Sequence, residues 1–149
     1  MEKTFHVTDI KSIAREILTN IESYTKESKS GTVVTLSGDL GAGKTTLVSE
    51  IAKLFSIKEN VVSPTYVIMK KYPVSWKGIE NFYHIDAYRI EKEDEILILG
   101  WEEIVSSRAN LVFVEWPEKI QNHIPKNHIE IKLSHKSEEE REITLTKIA

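Results

Sequence analysis

The sequence contains no cysteine, which removes disulfides, thiolate zinc sites and thiol nucleophiles together. A reducing compartment is compatible with that. Glycine and proline are scarce, 6 and 4 of 149 residues, which excludes collagen-like fibres and low-complexity disorder. Neither charge is in surplus: 20 Lys plus Arg face 23 Asp plus Glu, a formal net charge of −3. There is no basic excess to wrap a nucleic-acid backbone over a large surface, so any service to nucleic acid is indirect or uses a small patch. No apolar run approaches the ~18 residues that span a bilayer, and Met1 to His6 holds no apolar stretch of signal-peptide length. The expectation is a cytoplasmic protein with no membrane partner.

What is present suits one globular domain. Hydrophobic residues make up 40% and charged residues 29%, and domains typically run to ~100–200 residues, so residues 1–149 are expected to fold as a single unit. Ile10, Ile13, Ala14, Ile17, Leu18 and Ile21 recur at helical spacing as one apolar stripe about three turns long, with Thr8 and Asp9 as N-cap candidates. Thr32 to Leu36 is a β-branched run ending in Ser37-Gly38, and Leu47, Val48, Ile51, Ala52, Leu54 and Phe55 return to helical spacing. Strand-like runs follow at Tyr66 to Tyr72, Phe82 to Asp86 and Leu111 to Glu115, with a helical stretch from about Glu91 to Ser107. Ile129, Ile131, Leu133 and then Ile143, Leu145 alternate on either side of the charged run Lys136 to Glu142, the pattern of a hairpin with a solvated turn. Strands alternating with helices and closed by a hairpin predict a three-layer α/β domain with a mixed parallel and antiparallel sheet.

Between the first of those strands and the second helix lies Gly38-Asp39-Leu40-Gly41-Ala42-Gly43-Lys44-Thr45, a complete G-x-x-x-x-G-K-[ST] phosphate-binding loop in its proper strand-to-helix setting. Glycines let successive backbone N–H groups turn toward phosphate oxygens, and a helix beginning at Lys44 aims its positive end at the same anion. Lys44 then reaches the β- and γ-phosphates, and Thr45 supplies a hydroxyl to Mg²⁺. Thr46 either extends the phosphate contacts or is a helix-surface residue.

Hydrolysis needs a carboxylate near the metal and a group to orient water. Glu115 follows four apolar strand residues, and Asp86 ends another apolar strand in Tyr83-His84-Ile85-Asp86-Ala87-Tyr88-Arg89. Both are candidates for the sheet's C-terminal edge, where open α/β sheets bind ligands. Thr65, in Ser63-Pro64-Thr65-Tyr66, either places a hydroxyl by the γ-phosphate or Mg²⁺ or belongs to an ordinary turn. His84 reads as a structural histidine rather than a proton carrier, and Arg89 as a surface ion-pair partner rather than a charge-stabilising finger. Trp116 either stacks on a base or partner or is a buried aromatic.

Four motifs in this order, Gly38 to Thr46, Ser63 to Tyr66, Tyr83 to Arg89 and Val114-Glu115-Trp116-Pro117-Glu118, with Leu99-Gly100-Trp101-Glu102-Glu103 between the last two, resemble the TsaE (YjeE) family of small bacterial P-loop ATPases. The resemblance spans roughly residues 31 to 120. It implies a P-loop fold and a role in making the threonylcarbamoyl modification of the adenosine beside the anticodon, t6A. In that family the ATPase associates with the TsaD–TsaB heterodimer and supports its turnover, so tRNA contact is expected to be indirect. The resemblance implies that ATP and Mg²⁺ are the cofactors and that Gly38 and Gly41 to Thr46, including Ala42 and Gly43, hold the phosphates. Thr45 and Glu115 would bind Mg²⁺, Asp86 would assist the metal or water, Thr65 would be a switch-like threonine, and Trp116 would lie near the nucleotide. Lys44, Asp86 and Glu115 would be the catalytic set. Some relatives continue into a C-terminal helix, so no partner contact through such a helix is carried over to a chain ending at Ala149. The base-contacting residues stay unassigned. Two other function classes share the phosphate loop. A small-molecule kinase usually needs an Arg-bearing lid, and Arg is sparse here. A GTPase-like switch usually carries an Asn/Thr-Lys-x-Asp element, and Thr25-Lys26-Glu27-Ser28 lacks the acid.

Overall fold

The computed structural model describes residues 1–39, 41–59 and 68–149. Among the described residues one sheet holds seven strands: β1 (Glu2–His6), β2 (Thr32–Gly38), β3 (Met69–Trp76), β4 (Ile79–Asp86), β5 (Asn110–Glu115), β6 (His128–His135) and β7 (Glu140–Ile148). Their order is β1-β7-β6-β2-β5-β4-β3. The four inner strands β6, β2, β5 and β4 run parallel, while β3 pairs antiparallel with β4 and the β6–β7 hairpin leads to antiparallel β1. The mixed sheet and the closing hairpin are thus as the sequence pattern predicts.

Strands buried on both faces need apolar residues at every position rather than at alternate ones. In β5 all six residues of Asn110–Glu115 are buried, and the four between the ends, Leu111 to Val114, are apolar. Helices α1 (Ile10–Glu27) and α2 (Lys44–Leu54) cover one face through Ile13, Ile17, Ile21, Leu47, Val48 and Ile51, packed on Leu36, Phe82, Phe113 and Ile131. Short helices α3 (Glu95–Ile98) and α4 (Trp101–Ser106) and the 3-10 segment Pro117–His123 cover the other through Ile96, Trp101, Ile104 and Ile120, over Val33, Ile85, Val112 and Val114. The result is three layers and a P-loop architecture.

Several boundaries differ from the sequence pattern. α1 runs 18 residues, beyond its apolar stripe, because Tyr24 still packs against the core. Asp9 makes no side-chain cap bond. A single 3-10 turn, Val7–Asp9, leads in instead, and the Thr8 backbone N–H donates to His6 Nδ1 at 3.1 Å. The helical stretch from Glu91 to Ser107 is broken at Gly100, whose φ of +81° ends α3 and starts α4. Its periodicity looked continuous because Ile96, Trp101 and Ile104 share one layer. Tyr66 and Val67, in the run Tyr66 to Tyr72, lie outside the described residues. β3 continues past Tyr72 through Pro73, which an edge strand tolerates because no neighbour needs its missing N–H. β1 had no sequence signal, since only Phe5 of its five residues is buried.

On the α1–α2 side, Phe82 sits between Phe55 and Phe113 with ring centroids 5.5 Å from each, edge to face. Truncating a fully buried Phe leaves a cavity that costs about 3–5 kcal/mol. Phe82→Ala is expected to lower the unfolding free energy by that amount, read as a lower urea midpoint at unchanged m-value. A loss below about 1 kcal/mol would show that this layer repacks freely.

Candidate nucleotide site

Side chains alternate along a strand, so Phe82, His84 and Asp86 of β4 point the same way, as do Phe113 and Glu115 of β5. Because Phe82 and Phe113 belong to the α1–α2 core, the two acids and the histidine face the α2 layer. Register then aligns their ends: Asp86 pairs with Glu115, and Glu115 pairs with Leu36, two residues before Gly38. Both acids therefore stand at the C-terminal edge of the parallel strands, beside the turn from β2 into α2.

That turn depends on glycine. A Cβ on Gly38, at φ +145°, would sit 1.8 Å from the Leu133 carbonyl oxygen of β6, so β2 and β6 can approach there only without a side chain. Gly43, at φ +102°, begins α2. Within the turn the Ala42 N–H donates to the Asp39 carbonyl at 3.0 Å. Lys44 is only 7% exposed. Its Nζ donates to the Gly38 carbonyl at 3.0 Å and lies 4.2 Å from the centroid of the Trp116 ring. The Thr45 hydroxyl donates to Glu115 Oε1 at 3.4 Å.

Together these groups border a cleft of about 440 Å³. Gly41, Gly43, Lys44, Thr45 and Thr46 form one wall and Asp86, Tyr88, Glu115 and Trp116 the other. Gly38 contributes through its carbonyl at the foot of Lys44. Ala42 is buried and borders a neighbouring cavity instead. Thr46 is exposed and lines both spaces. Thr65 lies outside the described residues. Asp86 Oδ1 accepts the Tyr88 N–H at 3.0 Å, a local turn that sets Tyr88 at the cleft. Arg89 is exposed and is not among the cleft-lining residues.

Trp116 reaches the cleft wall. It is half-buried, with its ring 5.1 Å from that of Tyr88 and its face on the Lys44 ammonium. Its backbone is left-handed, φ +58° and ψ +51°, a conformation that costs a bulky residue about 1–3 kcal/mol and persists where surrounding contacts enforce it. Glu115 is 3% exposed and His84 is fully buried, and His84 Nε2 lies 2.6 Å from Glu115 Oε2.

Three features of the site leave little signal in the sequence. Tyr88 lines the cleft, and its signal was its place two residues past Asp86. His84 is bonded to Glu115, and the signal was its two-residue spacing from Asp86, which shares its face. A second cavity of about 190 Å³ lies on the other side of the phosphate loop, formed by Phe5, Val7, Ile10 and Arg141 with Gly41 to Gly43 and Thr46. No local signal joins residues so far apart in the chain.

Residues 7–143 match the family described as "Threonylcarbamoyl adenosine biosynthesis protein TsaE". The chain belongs to the TsaE family. It is 39% identical over 121 residues to "tRNA threonylcarbamoyladenosine biosynthesis protein TsaE" of Bacillus subtilis (strain 168), covering 81% of this chain and 73% of the relative. The TsaE protein of Nostoc sp. is 38% identical over 119 residues, 78% of this chain and 70% of the relative. Among solved structures, that of YdiB from Bacillus subtilis superposes with a TM-score of 0.65 at 28% identity, covering all 100% of this chain and 87% of the other. Among the described residues no helix is long and apolar enough to cross a membrane.

In this TsaE-family chain the cleft wall carrying Trp116 continues into Pro117–His123, which is tethered to the loop after β4. Glu93 accepts hydrogen bonds from the Asn122 backbone N–H at 3.1 Å and from Asn122 Nδ2 at 2.8 Å, and Asp94 pairs with His123 at 2.8 Å. The backbone bond from Asn122, then its side-chain bond, hold the Glu93 carboxyl below its ordinary pKa. A depressed carboxylate contributes stability at pH above its unfolded pKa, and that contribution fades as pH falls through the folded value. Carboxyl NMR should therefore place the Glu93 midpoint below the ordinary glutamate value. Asn122→Ala, which keeps the backbone N–H and removes only Nδ2, should move it part of the way up, and an unmoved midpoint would remove the Asn122 side chain as a cause.

Proposed function

We propose that this protein is a Mg²⁺-dependent ATPase serving the t6A-modifying machinery, where its ATP binding and hydrolysis support turnover of the TsaD–TsaB heterodimer. The observation that carries this reading is the meeting of the phosphate loop with a strand-end carboxylate: Thr45 Oγ1 stands 3.4 Å from Glu115 Oε1, across the cleft from Asp86. A loop that binds phosphate without a nearby acid would argue for binding alone.

The donor set suits the cofactors. Mg²⁺ prefers hard oxygen ligands and takes one or two carboxylates, with phosphate and water completing its shell. Thr45, Glu115 and Asp86 offer a hydroxyl and two carboxylates. Among the described residues no group of three His, Cys, Asp or Glu could hold a metal unaided, which suits a metal arriving with its nucleotide. When bound, Mg²⁺ neutralises charge that builds on the transferring phosphoryl oxygens.

The chain's own groups do the rest. Backbone N–H groups of Gly41 and of Gly43 to Thr46, at the start of α2, receive the phosphate oxygens. Lys44 supplies the mobile positive charge for the β- and γ-phosphates, and Trp116 and Tyr88 close the cleft beside it. Thr45 and Glu115 would hold Mg²⁺, and Asp86 would assist the metal or orient the attacking water. The second cavity, whose mixed polar and apolar lining includes Phe5, Val7, Ile10 and Arg141, offers adenine a place beside the loop. With a net charge of −3 the protein leaves tRNA to its partners, and it works in the cytoplasm.

Glu115→Ala should keep nucleotide binding yet lose hydrolysis by about 100-fold or more, the scale of a removed catalytic group. Lys44→Ala should weaken ATP binding itself. Equilibrium binding of a fluorescent ATP analogue and phosphate release separate the two effects. Full turnover by Glu115→Ala would end the metal role of that residue. Hydrolysis by the wild type should be slow alone and faster with TsaD–TsaB, and an unchanged rate on adding the heterodimer would refute the accessory role.

A further inference from the structure

Glu115 poses a problem that its position in the cleft does not solve. A carboxylate only 3% exposed has lost most of its water, and a buried charge is tolerated only where hydrogen-bond donors replace that water. Thr45 offers one bond, and at 3.4 Å it is a long one. The short bond comes from His84, whose Nε2 lies 2.6 Å from Glu115 Oε2. His84 has no exposed surface.

The tautomer follows from the same contacts. His84 Nδ1 is buried and has no hydrogen-bond partner among the described residues, so a proton there would be an orphaned donor, which costs about 1–3 kcal/mol. The proton therefore sits on Nε2, which donates to Oε2. With Oε2 held, the carboxylate plane is fixed, and Oε1 is left toward Thr45 and the cleft. The imidazole has little room to turn away: β4 is paired on both sides there, with Lys70 of β3 and Phe113 of β5, which sets the direction of the His84 Cβ, and the residue is fully buried.

We propose that His84 is the positioning residue for Glu115: through its Nε2–H it holds the carboxylate in the orientation in which Oε1 serves the divalent cation of the bound nucleotide. This rests on the ATPase reading above. His84 does not touch nucleotide or metal and carries no proton in the reaction. Partners of this kind that orient a metal-binding group typically change metal affinity or activity by 10–100-fold when lost.

The test compares His84→Leu with His84→Gln in the full-length protein. Gln keeps an amide N–H at about the reach of Nε2, whereas Leu fills space without a donor. The Mn²⁺ affinity of the ATP complex, read by electron paramagnetic resonance, should fall about 10–100-fold in His84→Leu and recover most of the way in His84→Gln. kcat should follow the same order, with KM for ATP nearly unchanged. In a Glu115→Ala background, His84→Leu should cost nothing further, because the group it positions is gone. Equal losses in the Leu and Gln variants would reduce His84 to packing, as would an undiminished penalty in the Glu115→Ala background. If His84→Leu does not fold, Mn²⁺ affinity in His84→Gln beside His84→Asn decides, since Asn presents its amide short of Nε2 and should fail where Gln succeeds. Wild-type protein that binds ATP and Mn²⁺ without hydrolysing ATP would sink the ATPase reading, while the Mn²⁺ measurements would still judge His84.

Discussion

The register between β5 and its two parallel neighbours governs everything built at the cleft. β5 lies between β2 and β4, so aligning Glu115 with Leu36 on one side and Asp86 on the other brings a phosphate loop and two acids to one edge. A slip by one residue would turn every β5 side chain to the opposite face. Glu115 would then enter the layer of Trp101 and Ile120, and Val114 would meet the phosphate loop. The register is held by burial on both faces, since Phe113 belongs to one apolar layer and Val112 and Val114 to the other. Packing far from the cleft thus sets the chemistry within it.

Two backbone features refine that edge. At Gly38 the strands β2 and β6 come so close that no side chain fits, which lets the chain leave the sheet at once and turn into α2. At Trp116 the chain leaves β5 in a left-handed conformation that a bulky residue normally avoids. The first is a position where only glycine is possible. The second is a strained position maintained by contacts: the Lys44 ammonium on one side of the cleft, the Tyr88 ring nearby, and a following 3-10 segment tied to Glu93 and Asp94. Strain concentrated next to an otherwise regular strand is common where a side chain must be aimed rather than merely buried.

Much of this could be read before the fold was known. The helical stripe from Ile13 to Ile21, the unbroken apolar run of β5 and the alternation of β6 and β7 report directly on burial, and the physics behind them is local periodicity. Errors arose where local rules compete. Ile96, Trp101 and Ile104 imitate one helix although Gly100 divides it, because periodicity follows the buried layer and not the continuity of hydrogen bonds. β1 was invisible because an edge strand buries too little to leave a pattern. Thr8 and Asp9 have the chemistry of caps, yet the His6 ring bonds to the Thr8 N–H while Asp9 makes no cap bond.

By itself the sequence determined the G-x-x-x-x-G-K-[ST] motif, its setting between strand and helix, and the family, because each is encoded in residues adjacent along the chain. It also determined that Asp86 and Glu115 end apolar strands. Only the tertiary structure decided that those two ends are neighbours, that Thr45 meets Glu115, and that Phe5, Ile10 and Arg141 share a cavity with Gly41. It alone turned His84 from a buried histidine into the partner of Glu115. The reason is that strand order and register are collective properties of packing, and contacts across them join residues that no spacing along the chain relates.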